Sequence, residues 1–274
     1  MRAVSLHTYP VKGCHRLDHD VVAVEPWGLA GDRRWMIVDA DGIGVTQRQH
    51  PVLATLRPVI RPGGLVLRGP GRPDLEVPEP AGTAPVAVRT FRHRKLPVDA
   101  LPAGPAADAW LTAVLDQPVR LTWLARPTRH IAEGERAHDT GDQVSFADAY
   151  PLLLTVTASL EALNGWLAET GAAPVPMTRF RPNVVVEGAP AWVEDDWAGR
   201  TLQIGGATFR AAGSCERCVV TTTDQETGVR GHEPLPTLAR HRRIDRKVLF
   251  GLHLVPVSGG QIGVGDPVRV ESAP

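Results

Sequence analysis

Glycine and proline punctuate this chain so often that few stretches are long enough for a helix: 27 glycines and 25 prolines fall among 274 residues. Glycine interrupts regular structure by its freedom at positive φ, proline by its fixed φ and missing N–H. Between them lie short segments rich in β-branched residues, which read as strands. "VVAV" (21–24), "RWMIVD" (34–39), "GLVLR" (64–68) and "PVAVR" (85–89) are of this kind. So are "NVVVE" (183–187), "TLQIG" (201–205), "ATFRAA" (207–212) and "CVVTTT" (218–223). "DADG" (39–42) predicts a hairpin turn with Gly42 at positive φ. The tail "LHLVPVSGGQIGVGDPVRV" predicts two further strands joined by a Gly-Gly turn, while the Pro-rich stretches at 70–85 and 97–106 read as loops. Many short strands with few helices predict barrels rather than a parallel sheet, hence a mainly β fold of α+β class.

Two helices interrupt the strands. "AADAWLTAVL" (106–115) places Trp110, Leu111, Val114 and Leu115 on one face. "YPLLLTVTASLEALNGWLAETG" opens as a buried strand and continues as a helix that Thr157 or Ser159 caps. Leu160, Leu163 and Leu167 share one face of that helix, and Gly171 stops it. Between these regions "RPTRHIAEGERAHDTGDQ" (126–143) is polar and has no apolar period, as a linker or crossover loop would be. It sets a domain boundary between 1–125 and 126–272.

The formal net charge is zero, so no global field favours nucleic acid or an anionic membrane. The positive charge is almost all arginine, a residue suited to bidentate anion binding. No apolar run approaches a bilayer span, and the N-terminal residues lack the apolar stretch of a signal peptide. Three cysteines are too few for a disulfide scaffold. A reducing, cytoplasmic setting is the simplest expectation.

Two of the three cysteines form a C-x-x-C in "SCERCVVTTTDQETG" (214–228). A structural zinc site would need a second half, and His232, His241 and His253 are too widely spaced to supply one. A dithiol redox pair sits at a helix tip, whereas the β-branched run after Cys218 predicts a strand. A role as small core residues suits Cys215 or Cys14 better than Cys218, which lies beside Arg217 and ahead of Asp224. What remains is a single thiolate ligand or nucleophile. Other polar residues stand at strand–loop junctions: Lys12 in "YPVKGC", Asp32, Arg33 and Arg34 in "GLAGDRRWMIVD", Arg48 in "VTQRQHP", and Arg179, Arg181 and Asn183 in "MTRFRPNVVVEG". Taken singly, each reads as a solvated or salt-bridged surface residue; jointly, they could converge on one anion.

These motifs, with "FADAYPLLLTVTASLEALN" and "FGLHLVPVSGGQIGVGDPVRV", occur in an order that resembles the MOSC family from Ser5 to Val270. The specific parts are R-F-R-P-N and R-C-x-x-T-T-x-D-x-x-T-G. The resemblance is to the two-part form, a β-barrel MOSC domain packed with an N-terminal MOSC β-barrel-type domain, and within it to the amidoxime-reducing molybdenum enzymes. It implies a molybdenum cofactor, a molybdopterin dithiolene with a terminal phosphate, and a small-molecule substrate carrying an N-hydroxyl group. By the motif Cys218 is the metal ligand, and a thiolate is a soft donor suited to a sulfur-rich centre. Lys12, Arg33, Arg48, Arg181, Asn183 and Arg217 match the positions that hold the cofactor, and Asp224 is placed near the metal or as a support of the Cys218 loop. The family also carries an association with pyridoxal phosphate, to which no residue is assigned here.

No cysteines remain for a built-in iron–sulfur cluster, so electrons would come from a separate electron-donor protein of ferredoxin or reductase type. No nucleic acid or membrane partner is expected. This chain departs from the family pattern twice, with Gly13 where serine is common after the lysine and with Glu216 between the cysteines. Two functions stay open: a reductase of N-hydroxylated compounds, or a carrier that hands on the cofactor or sulfur held as a Cys218 persulfide. A metal-free ligand-binding barrel is the third.

Overall fold

The computed structural model describes residues 1–93, 95–131 and 141–271. Its largest sheet is built around two long antiparallel strands, Ala207–Glu216 and Lys247–Ser258. Thr201–Ile204 and Val268–Val270 extend the sheet on one side. On the other side come Leu152–Val156, Val184–Glu187, Arg2–Thr8 and Leu17–His19. Only Leu152–Val156 and Val184–Glu187 run parallel, as their connection requires: helix α2 (Thr157–Glu169) lies between them, long enough to cross over.

Apolar residues on this sheet's inner face form a core of Leu152, Leu154, Val186, Phe209, Leu252 and Leu254 with Leu6, Val24 and Leu29 from the start of the chain. Fully burying each such side chain contributes about 1.5–3 kcal/mol. The two segments 1–125 and 126–272 therefore interlock. Arg2–Thr8 is a strand of the large sheet, and Val21–Glu25 pairs with Gly260–Gly263 from the other end. Residues 30–125 add a sheet of Trp35–Val38, Arg120–Trp123, Val98–Pro102 and Val86–Val88, and a three-stranded sheet of Arg57–Arg61, Gly64–Arg68 and Leu75–Pro78. Helix α1 (Pro105–Leu115) buries Ala107, Leu111 and Leu115 against a second core that includes Val11, Trp35, Leu53 and Leu121.

The fold is mainly β, with 38% of residues in strands and 19% helical. As paired, its sheets are not closed into barrels. The start of Arg2–Thr8 reaches across to the segment before Val268–Val270 through an isolated bridge between Arg2 and Pro267. Three backbone bonds lace this gap: Ala3 N to Asp266 O at 2.9 Å, Gly265 N to Ala3 O at 2.8 Å and Val268 N to Met1 O at 3.0 Å. Pro267 has no N–H to continue a ladder there.

Several local expectations change. "CVVTTT" is not a strand: the strand ends at Glu216 and Val219–Thr222 is a 3-10 turn. Thr221 and Thr222 donate their hydroxyls to the carbonyls of Cys218 and Val219, at 3.0 and 2.8 Å, so local side-chain bonding outweighs β propensity. The Pro-rich stretches contain the strands Leu75–Pro78 and Val98–Pro102, with proline at the strand end, where a missing donor costs least. Neither Thr157 nor Ser159 caps α2. Its N-cap is Val156, and the Ser159 hydroxyl is buried, donating to Glu194 at 2.9 Å and accepting from the Trp192 N–H at 2.8 Å. Gly171 does stop the helix, at φ +74° with Ala172 N bonding back to Leu167 O. The tail holds three strands rather than two, and Gly260–Gly263 leaves its sequence neighbour to pair with Val21–Glu25. Of the polar segment 126–143, residues 132–140 lie outside the described residues.

Candidate functional site

The strand–loop junctions singled out in the sequence open onto one cleft of about 750 Å³. Lys12, Arg33, Arg48, Arg181, Asn183, Arg217 and Cys218 all line it, although they come from five separate stretches of chain. Five arginines and two lysines face four carboxylates in its wall, a local excess of positive charge in a neutral chain.

Tyr9 organises the arginines behind one part of the cleft wall. Its ring is buried, its hydroxyl donates to Pro182 O at 3.0 Å and its N–H donates to Asp32 at 2.7 Å. The Arg33 and Arg181 guanidinium groups lie over the ring, 4.6 and 4.1 Å from its centroid. Both arginines have positive φ, 48° and 56°, a backbone uncommon for residues with a side chain and retained where the surroundings over-determine it. Arg33 also pairs with Asp32 and donates to Asn183 Oδ1 at 3.0 Å. Arg181 donates to Gln225 Oε1 at 2.7 Å and Cys14 O at 2.9 Å. Burial lowers the Arg181 pKa to about 10, so it is still charged at neutral pH. Asn183 is fully buried and ties three segments together, donating to His7 O and accepting from Arg33 and Leu153 N.

Lys12 is buried, and its ammonium donates to Phe146 O and Asp148 Oδ1, both at 2.6 Å. Arg48 lies 3.7 Å from the other Asp148 oxygen. Burial alone would raise the Asp148 pKa, but Lys12, Arg48 and Arg129 outweigh it and hold the carboxyl well below the usual range. Asp148 escaped the sequence reading because Lys12, its hydrogen-bonded ion-pair partner, is 136 residues away, as did the reciprocal Gln47–Gln225 amide pair at 3.0 Å.

Each cysteine sulfur of the C-x-x-C has its own guanidinium. Arg48 Nη2 is 3.3 Å from Cys218 Sγ, and Arg217 Nη1 is 2.9 Å from Cys215 Sγ. Cys218 is half-buried and Cys215 buried. Burial would push the Cys215 thiol up, yet the charge of Arg217 and the proximity of His253 bring it down to about 6. Cys215 is therefore more than a packing residue: Arg217 and His253 favour its charged form. The sequence held half of this signal, Arg217 two residues on, whereas His253 arrives from a distant strand.

Asp224 is not among the lining residues. Its carboxylate accepts from the N–H groups of Glu226 and Thr227, at 3.0 and 2.9 Å, and meets Arg179 at 3.2 Å. Arg179 in turn donates to Thr222 O at 2.7 Å. Asp224 thus ties down the turn that follows Cys218. Glu216 is exposed at the rim without an ion pair among the described residues, so its charge is solvated. Gly13 has φ +84° with Leu53 Cδ1 3.3 Å from where a Cβ would be, so the backbone itself favours glycine at this position. Among the described residues no three His, Cys, Asp or Glu side chains come together to hold a metal.

Residues 1–118 match the MOSC N-terminal beta barrel domain and residues 141–269 the MOSC domain. The chain is 34% identical to mitochondrial amidoxime-reducing component 1 of Homo sapiens, over 96% of this chain and 81% of that protein. It is 31% identical to mitochondrial amidoxime reducing component 2 of Bos taurus, again over 96% and 81%. A molybdenum cofactor sulfurase of Oryza sativa subsp. japonica is 30% identical over 91% of this chain, which spans 32% of that longer protein. Among the described residues no helix is long and apolar enough to cross a membrane.

Proposed function

The chain belongs to the MOSC family, and on that premise we propose that it is a molybdenum-cofactor-dependent reductase of N-hydroxylated compounds. The names of its relatives support a function related to the molybdenum cofactor. The reductase reading rests most on one observation, the convergence of six basic or amide side chains and the Cys218 sulfur on one cleft. The residues fit the group. A phosphate-bearing, sulfur-rich cofactor needs clustered guanidinium donors and one soft protein ligand, and the buried Arg217 Nε has no partner within the protein.

In this reading Cys218 is the metal ligand, and Arg48 Nη2 donates to its sulfur from 3.3 Å, which fixes where that sulfur points. Lys12, Arg33, Arg48, Arg181 and Arg217 would hold the cofactor by neutralising its phosphate and polar edge, with Arg33 and Arg181 kept in place by Tyr9. Asn183 fixes Arg33 in place. Asp224 is a positioning residue that keeps the Val219–Thr222 turn, and so Cys218, in register. The bound cofactor supplies two-electron redox chemistry. The overall conversion breaks the N–O bond, forms an N–H bond and releases the oxygen as water, consuming two electrons and two protons. The electrons come from a separate donor protein.

The test is turnover of benzamidoxime by the cofactor-loaded protein with a reduced viologen as artificial donor. Stoichiometric formation of benzamidine is expected. A fully loaded protein that forms none is instead a carrier of cofactor or sulfur, the reading that the sulfurase relative favours.

A further inference from the structure

We propose that the hairpin of Arg243–Ile244 and the start of Lys247–Ser258, with the end of α3 (Leu235–His241), is the docking surface for an acidic one-electron carrier protein. This rests on the reductase reading, in which electrons come from a separate protein. Arg240, Arg243, Arg246 and Lys247 are all exposed there, beside exposed His241, and none of the four forms an ion pair among the described residues. Asp245 is the one carboxylate in the hairpin. Because the chain is neutral overall, this is a local patch and not part of a general positive field.

The turn is built against the usual backbone preference. Asp245 and Arg246 have φ of 47° and 65°, where a two-residue hairpin ordinarily uses Asn-Gly. An arginine in place of glycine keeps a charge at the tip despite an unfavourable backbone. Ile244, 46% exposed, pairs with Lys247 across the hairpin, so an exposed apolar side chain lies beside a cation there. The base is stiff: His241 stacks on Trp166 at 4.2 Å, Trp166 on Trp192 at 5.2 Å, and Trp192 meets Phe250 edge-on at 5.9 Å.

Position selects the occupant. Ile244, Asp245, Lys247 and Leu249 also line the cleft that contains Cys218, so a protein seated on the hairpin lies across the cleft mouth, where electron transfer needs it. A small charged patch suits the brief, salt-sensitive encounters of electron carriers, which lie at the low end of interface size. A membrane surface would be met by a longer amphipathic helix, whereas α3 has seven residues. Single-stranded nucleic acid would be met by exposed aromatic rings, and none of the large exposed hydrophobics among the described residues is aromatic. Each carrier is oxidised by one electron; two deliveries, with two protons from solvent, convert one N–OH to N–H and water.

The cofactor-loaded protein and its Arg243→Glu/Arg246→Glu variant are titrated with a plant-type ferredoxin, an acidic carrier, and separately with phosphatidylglycerol vesicles, at low and high salt. The wild type is expected to bind ferredoxin in a salt-sensitive way, and the variant about tenfold more weakly, with ferredoxin-driven turnover falling in step. Viologen-driven turnover stays at the wild-type level. The neutral variant Arg243→Gln/Arg246→Gln, which reads the same effect with less perturbation of the turn, gives an intermediate loss. Equal ferredoxin affinity in wild type and variants overturns the proposal, as does a wild type that binds no ferredoxin, or a loss confined to vesicle binding. Absence of viologen-driven turnover in every form refutes the reductase reading instead.

Discussion

Cys215 shows how much chemistry one neighbour can decide. Two residues separate it from Cys218, yet Arg217 and His253 bring its pKa down to about 6 against the effect of burial. The unfolded chain holds this proton up to the ordinary thiol range, near 9, and the folded chain does not. Over that window the unfolded state binds more protons, so this site adds stability as the pH rises from about 6 to about 9 and loses it as the pH falls through 6. The thermal midpoint of wild type is therefore expected to rise across that window relative to Cys215→Ser, whose profile is flatter. Parallel profiles would mean that Arg217 and His253 do not act on this sulfur.

Elements show where sequence reading succeeds and where it stops. The strands Val21–Glu25, Trp35–Val38 and Gly64–Arg68, helix α1 and the body of α2 were legible because alternation, apolar periodicity and turn residues all agreed, whereas the short strands Leu17–His19, Gly28–Leu29 and Arg57–Arg61 were not. The turn after Cys218 was not, because three threonines and two valines carry a strand preference that two hydroxyl–carbonyl bonds override. The strands inside the Pro-rich stretches were hidden for a different reason: they depend on partners, Val86–Val88 and Gly64–Arg68, that composition does not reveal. In the cleft the basic residues were legible as motif members. Their counter-charge Asp148 was not, since sequence separation hides it. Inside Lys247–Ser258, Gly251 has φ +80° and a Cβ there would sit 2.8 Å from Leu154 O. Gly251→Ala is expected to cost about 2–4 kcal/mol through strain and overpacking, read as a lower urea midpoint. A midpoint within error of wild type would show that the sheet yields at this point.

At the scale of the whole molecule the two ends of the chain share a sheet and a core. Leu6, Val24 and Leu29 pack with Leu154, Phe209 and Leu254, and Val21–Glu25 pairs with Gly260–Gly263. Unfolding is expected to be a single transition, coincident by near- and far-ultraviolet circular dichroism, and a polypeptide of residues 126–271 alone is expected to expose its core and bind a hydrophobic dye. Two separated transitions would mean that the segments are independent. The same interlocking brings Lys12 and Arg33 from one segment to Arg181 and Cys218 from the other, so the cleft exists only in the complete fold. Molybdenum and pterin content, measured on protein purified from a host that makes the cofactor, tests whether that cleft holds the metal through Cys218. Wild type and Cys215→Ala are expected to carry near-stoichiometric molybdenum, and Cys218→Ala none. Molybdenum retained in Cys218→Ala, or zinc held by both cysteines, would contradict it.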